Sequence, residues 1–159
     1  MKEIIDRRKL KNRAVRFLFQ KAQKLCLDYF KYEYEYSPAE AIEELGVDID
    51  LIDHLVEDFV VQVIKSDSTF REHLEILKEA KANNEVLEFS DFRNLAHKNL
   101  GVARNLRIKD ASKVLEEMLK KDDLAYLEHS LEILKSCVIK LNPVSAYDAL
   151  YLIQVKNSF

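Results

Sequence analysis

The chain has 159 residues, 48% of them hydrophobic and 33% charged, with a formal net charge of −3, which is the composition of an ordinary globular unit with enough apolar material for a core. Two glycines and two prolines leave little for turns and argue against a loop-rich or all-β chain, so an almost wholly helical fold with short connections is expected. No apolar run approaches the roughly 18 residues of a membrane span, and the charged N-terminus lacks the apolar segment of a secretory leader, so a cytoplasmic location is expected.

Charge is unevenly spread. Residues 1–31 hold ten Lys or Arg against three acids, a balance of +7, and the remainder carries −10, so the two parts should attract. Residues 2–31 read as one long basic helix, with Ile4, Ile5, Leu10, Ala14, Val15, Leu18, Ala22, Leu25 and Tyr29 at helical spacing. Such a helix raises nucleic acid or an acidic membrane as a partner, but docking of its apolar stripe on the acidic remainder, with its cations solvated, is preferred. Nucleic acid is therefore not expected. Phe30, Tyr32, Tyr34 and Tyr36 alternate with charged residues and read as an aromatic strap that continues the helix or lies extended over the bundle.

Ser37, Pro38 and Glu40 spell a capping box for a short helix that ends at Leu45, where Gly46 stops it. Asp48 or Asp50 then caps a helix whose Ile52, Leu55, Val56, Phe59, Val60 and Val63 form an apolar stripe. Ser66 to Ser68 interrupts this pattern, and Phe70, Leu74, Leu77 and Ala80 resume it as far as Asn83 and Asn84. His54 and His129 are expected on the surface, and His73 at the edge of a stripe.

From Ser90, read as an N-cap, Phe92, Leu95, Ala96, Asn99, Val102, Ala103 and Leu106 fall on one side of a helix, the core side. Arg93, His97, Gly101 and Arg104 fall in a row on the other. A mid-helix glycine costs roughly 0.5–1 kcal/mol relative to alanine. Placed one turn beyond an outward imidazole, it leaves room for another molecule to reach the ring, and Arg104 is expected to lean back past it toward His97.

Asp110 is read as the cap of a helix ending at Lys120 and Lys121. Asp122 or Asp123 caps the next, whose Leu124, Leu127, Leu131, Leu134, Val138 and Leu141 make a three–four seam suited to a bundle interior. Asn142 and Pro143 start a last amphipathic helix, Val144 to Val155. Cys26 and Cys137 fit no metal or redox spacing and are expected as buried or half-buried free thiols. No carboxylate stands three residues before any histidine, so the Glu-x-x-His pairs of di-iron bundles are missing. Gly-rich phosphate loops and nucleophile elbows are missing too.

Ala96-His97, Gly101, Ala103 and Asn105-Leu106 resemble the signature of the histidine-containing phosphotransfer (HPt) domain family, with weaker likeness from about Pro38 to Leu141. The resemblance implies an all-α fold, an antiparallel four-helix bundle over residues 37–141. Residues 1–36 add the basic helix and strap and residues 142–159 a C-terminal helix, all in one globular unit. It implies a phosphorelay in which His97 accepts a phosphoryl group from a response-regulator receiver domain, or a hybrid histidine kinase, and passes it on. Mg²⁺ belongs to the receiver, and the chain itself needs no cofactor or metal.

The sequence departs from the family pattern at four places: Asn99 for an apolar residue, Leu100 for lysine, Arg104 for a small residue and Arg107 for glycine. Phosphate stabilisation then falls to Arg104, Lys98 and Arg93, and docking to Gly101, Leu100 and Asn94. The rival reading is a non-catalytic interaction module that kept the bundle and lost the chemistry. A Leu100 exposed beside His97 would suit it.

Overall fold

The computed structural model describes residues 2–157, with side chains from Arg7 onward. All regular structure in them is helical: α1 (Lys2–Phe30), α2 (Ala39–Leu45), α3 (Ile49–Ala82), α4 (Ser90–Asn105), α5 (Lys109–Lys120), α6 (Leu124–Leu141) and α7 (Pro143–Asn157). No described helix is long and apolar enough to cross a membrane.

The core is built on α6. Its expected seam is buried from Leu124 to Val138, but Ser130, Ile133, Ser136, Cys137 and Ile139 are buried as well, so apolar partners surround it. Those partners are α1, α3, α5 and α7, while α4 packs on α3 and α5. Thus α3, α4, α5 and α6 form a closed cycle of contacts, and α1 and α7 lie against each other and against α6 outside it. One continuous cluster of buried residues runs from Ala22 in α1 to Ala149 in α7.

Several expectations need correction. Ser66 to Ser68 does not break the chain: α3 runs unbroken for 34 residues, because these polar side chains sit on the less buried faces while Ile64 and Phe70 continue the core. Only the C-terminal half of α1 docks closely, through Ala22, Cys26 and Phe30. Leu10 and Phe17 stay exposed, and Ile4 and Ile5 lie outside the described side chains. Between the basic helix and the acidic remainder, Lys11 pairs with Asp148 of α7 at 2.8 Å. The last helix docks through Ala146 and Ala149 and leaves Tyr151 and Leu152 exposed, so its apolar residues are spread around it.

Helix ends follow the same local chemistry with some shifts. Asp48 accepts from Leu51 N–H, Asp123 from Tyr126 N–H and Asn142 from Ser145 N–H, each covering an otherwise orphaned donor. Gly46, at φ 66°, ends α2 in the left-handed conformation expected of it. Ser37, Ser90 and Asp110 do not cap: Pro38, Phe89 and Ile108 occupy those positions with no side-chain bond. Glu88 instead accepts from both the backbone and the hydroxyl of Ser90.

Candidate functional site on α4

The strap of residues 31–37 takes the extended alternative and fixes the C-terminal end of α4. Tyr36 donates to Leu106 C=O at 2.7 Å and Tyr34 to Arg107 C=O at 3.4 Å, while Tyr34 accepts from Lys109 N–H at 3.1 Å. Burial pushes both phenols up from their ordinary value. Here Arg107 N–H bonds Arg104 C=O and Ile108 N–H bonds Ala103 C=O, with Arg107 at φ 59°. These are the two bonds of a Schellman turn, formed without the usual glycine. The Arg107 side chain is held by Glu44 and, at 3.9 Å, by Glu40 of α2.

Along α4 the rotation is set by its buried face: Phe92, Ala96, Asn99, Leu100, Ala103 and the following Leu106 are all buried. Leu95 and Val102, read as core, are half-buried, and Leu100, read as exposed, is 1% accessible. The correction is geometric. Leu100 lies about 60° around the helix from His97, and that flank faces protein, not solvent.

Asn99 joins α4 to α3 inside the core. Gln62 donates its amide to Asn99 Oδ1 at 2.9 Å, and Asn99 Nδ2 donates to Leu95 C=O at 3.0 Å and to Ser66 Oγ at 3.5 Å. A buried, fully bonded amide resists rotation of the helix that carries it, since any turn would strand its donors. This clasp was not legible beforehand, because Gln62 and Ser66 carry no pattern that points to Asn99.

His97, Gly101, Asn94, Lys98, Arg104 and Asn105 are exposed. His97 makes no hydrogen bond or ion pair among the described residues, so its ring nitrogens are open to a visitor. A Cβ built on Gly101 would meet nothing within 4 Å, so nothing in the chain's own packing requires glycine there.

The arginines do not gather on the imidazole. Arg104 turns toward α5 and pairs with Glu116 at 3.0 Å, instead of leaning back to His97. Arg93 pairs with Asp122 at 2.6 Å, and its guanidinium lies 4.5 Å over the Phe89 ring. Lys98 sits on the other flank, in an open groove with Asp58, Gln62, Lys65 and Ser66 of α3, where it makes no ion pair within 4.0 Å among the described residues. Positive charge therefore brackets the histidine helix, paired with carboxylates on the α5 side and, on the α3 side, shared by Lys65 and Lys98 in a groove that also holds Asp58. Of the residues singled out from sequence, His97, Gly101, Asn94, Lys98 and Arg104 share the outer face; Leu100 does not belong to it, and Arg93 is half-buried at its edge.

Among the described residues no three His, Cys, Asp or Glu side chains gather in a way that would hold a metal ion. No protein-family model matches the chain, and no curated protein or solved structure matches it either.

Proposed function

We propose that the chain is a divergent histidine phosphotransfer protein of the HPt type, with residues 37–141 as its antiparallel four-helix bundle and the N-terminal and C-terminal helices, α1 and α7, as additions. In this reading His97 carries a phosphoryl group to or from the receiver domain of a response regulator in a cytoplasmic phosphorelay. The observation that carries it is the pair of an unbonded, exposed His97 and an exposed Gly101 one turn on that the fold itself does not need.

Two further features support it. Arg107 stands ten residues after His97, where the family has glycine, and its backbone is in the left-handed conformation that glycine favours. The departures at Asn99 and Leu100 are absorbed by packing, one in the clasp with Gln62 and the other in the core. Neither disturbs the outer face.

A neutral imidazole is a competent nucleophile near pH 7, and the transferred phosphoryl needs positioning and positive charge more than covalent help. The imidazole nitrogen attacks phosphorus as the bond to the receiver's carboxylate breaks. Lys98 is the available cation. Arg104 can join it, because a half-exposed pair such as Arg104 with Glu116 is worth only about 0–1 kcal/mol and yields to a phosphate.

The reading as an interaction module loses its argument from Leu100, which is buried, but keeps one observation. Both arginines beside His97 are already engaged by carboxylates. Incubation with a receiver phosphorylated at its aspartate decides between the two. Acid-labile, alkali-stable label on the wild type, lost in His97→Gln, supports transfer; receiver binding without label supports the module.

A further inference from the structure

Cys26 in α1 and Cys137 in α6 stand 111 positions apart in sequence, yet their sulfurs lie 3.9 Å from each other as free thiols. Both are buried, at 1% and 0% accessibility. Their surroundings are not those of an inert apolar pair. Asp110, itself buried, and Lys140 adjoin them, and Lys140 Nζ donates to Tyr34 C=O at 3.0 Å. Cys137, Asp110 and Lys140 also line a cavity of about 370 Å³ together with Gln23, Glu33 and Tyr34 of the strap region; Cys26 is not part of its wall. A cavity of that size with polar groups in its wall admits water and small solutes as far as Cys137.

The two thiols are differentiated. Hydrogen bonding from Cys137, aided by the charge of Lys140 and opposed by burial, pulls the Cys26 thiol down from its ordinary value. Burial pushes Cys137 well up. Either sulfur can donate in the S–H···S contact; Cys26 is the more readily ionised of the two, and Cys137 is the one that faces the cavity.

We propose that Cys26 and Cys137 form a reversible disulfide site for a small oxidant of the hydroperoxide class, and that the resulting bond staples α1 to α6. One of the two sulfurs, as its thiolate, attacks one oxygen of the peroxide, the O–O bond breaks, and a sulfenic acid forms as the released hydroxide is protonated to water. The other sulfur then attacks the sulfenic sulfur; the S–S bond forms, the S–O bond breaks, and a second water leaves with its proton. Two thiols and one hydrogen peroxide give one disulfide and two waters, with the sulfurs oxidised and the peroxide reduced. The sulfurs must close from 3.9 Å to about 2.05 Å. This chemistry is independent of His97.

The reduced, folded full-length chain is exposed to hydrogen peroxide, quenched with N-ethylmaleimide and weighed intact. The expected product lacks both maleimide adducts, is lighter than the reduced chain by about 2 Da, and yields a peptide cross-linked between positions 26 and 137 that dithiothreitol releases. Its thermal midpoint rises by roughly 10 °C. Cys26→Ser and Cys137→Ser, each checked for native helicity, give no such species. The proposal is overturned if both thiols of the folded wild type survive peroxide, if one cysteine accumulates sulfinic acid with no cross-link, or if the bond forms only in denaturant. An unchanged or lowered midpoint in the cross-linked protein removes the staple.

Discussion

Replacing Gly101 with alanine separates what the fold needs from what a visiting partner needs. In a helix interior alanine is favoured over glycine by roughly 0.5–1 kcal/mol, because glycine loses more backbone entropy on folding. Nothing offsets that gain here: the added Cβ meets no atom within 4 Å, and the position is exposed. Gly101→Ala should therefore stabilise the chain by about 0.5–1 kcal/mol, or roughly 1–4 °C for a chain of this size, with an unchanged denaturant slope. The same methyl group stands one turn beyond His97, in the space through which a receiver would approach. A displacement of about 1 Å in a reacting group can cost on the order of 100-fold, so transfer from a phosphorylated receiver should slow by roughly 10-fold or more. Guanidinium titration reads the first effect and rapid-quench transfer kinetics the second. A destabilised variant would mean that glycine serves the chain's own packing, and an unchanged transfer rate would mean that the gap admits nothing; either refutes the reasoning.

Other substitutions probe the supports of the same face. Leu100→Ala should cost about 2–5 kcal/mol by denaturant titration, as expected of a core leucine; a loss of receiver binding at unchanged stability would return Leu100 to the surface role first assigned to it. Arg107→Gly relieves a left-handed backbone at the price of an exposed pair with Glu44 and should stabilise by up to about 1 kcal/mol; a loss of more than that would mean the ion pair outweighs the backbone. Burial raises the Asp110 carboxyl above its ordinary value, so the native state holds this proton more tightly than the unfolded chain does. Its contribution to stability grows as pH falls from the raised native value toward the unfolded value of about 3.9, and is unfavourable above that window. Asp110→Asn should remove that component, seen as a flatter difference in denaturation midpoint across mildly acidic pH, and a steeper profile in the variant would reverse the sign.

The sequence pattern carried much of the helical architecture, because long stripes and acidic caps are local signals. The α3 stripe from Ile52 to Val63, the caps at Asp48 and Asp123, and the stop at Gly46 depend on residues within a few positions of one another. The outward placement of His97 was legible for the same reason. What was not legible was set across helices. Asn99 and Leu100 are inside because Gln62 and the α3–α5 surroundings receive them, and a polar residue at a core position gives no local sign of its partner. Arg104 was expected to follow the lean of its own helix, but a carboxylate on α5 was nearer in kind and drew it away. The juxtaposition of Cys26 with Cys137 is the extreme case, since only the packing of α1 on α6 creates it.

These placements divide the chain by mechanical role. The helix with most of its circumference buried, α6, holds the core together; the helix with the histidine is packed on α3 and α5, with its outer face toward solvent. The proposed phosphoryl transfer would need this arrangement, because a receiver that supplies its own metal and acidic pocket would have to close over the ring. A histidine recessed among α6 and its neighbours would be better protected and unreachable. The Asn99 clasp makes the exposed arrangement rigid: the bonds from Gln62 and to Ser66 tie the α4 rotation to α3, so the imidazole is presented at a fixed azimuth without any contact of its own. Asn99→Leu tests that link, because it keeps the volume of the site and removes the clasp. If orientation matters, transfer falls more than stability does, and equal or better transfer from a well-folded Asn99→Leu protein would show that the helix needs no such anchor.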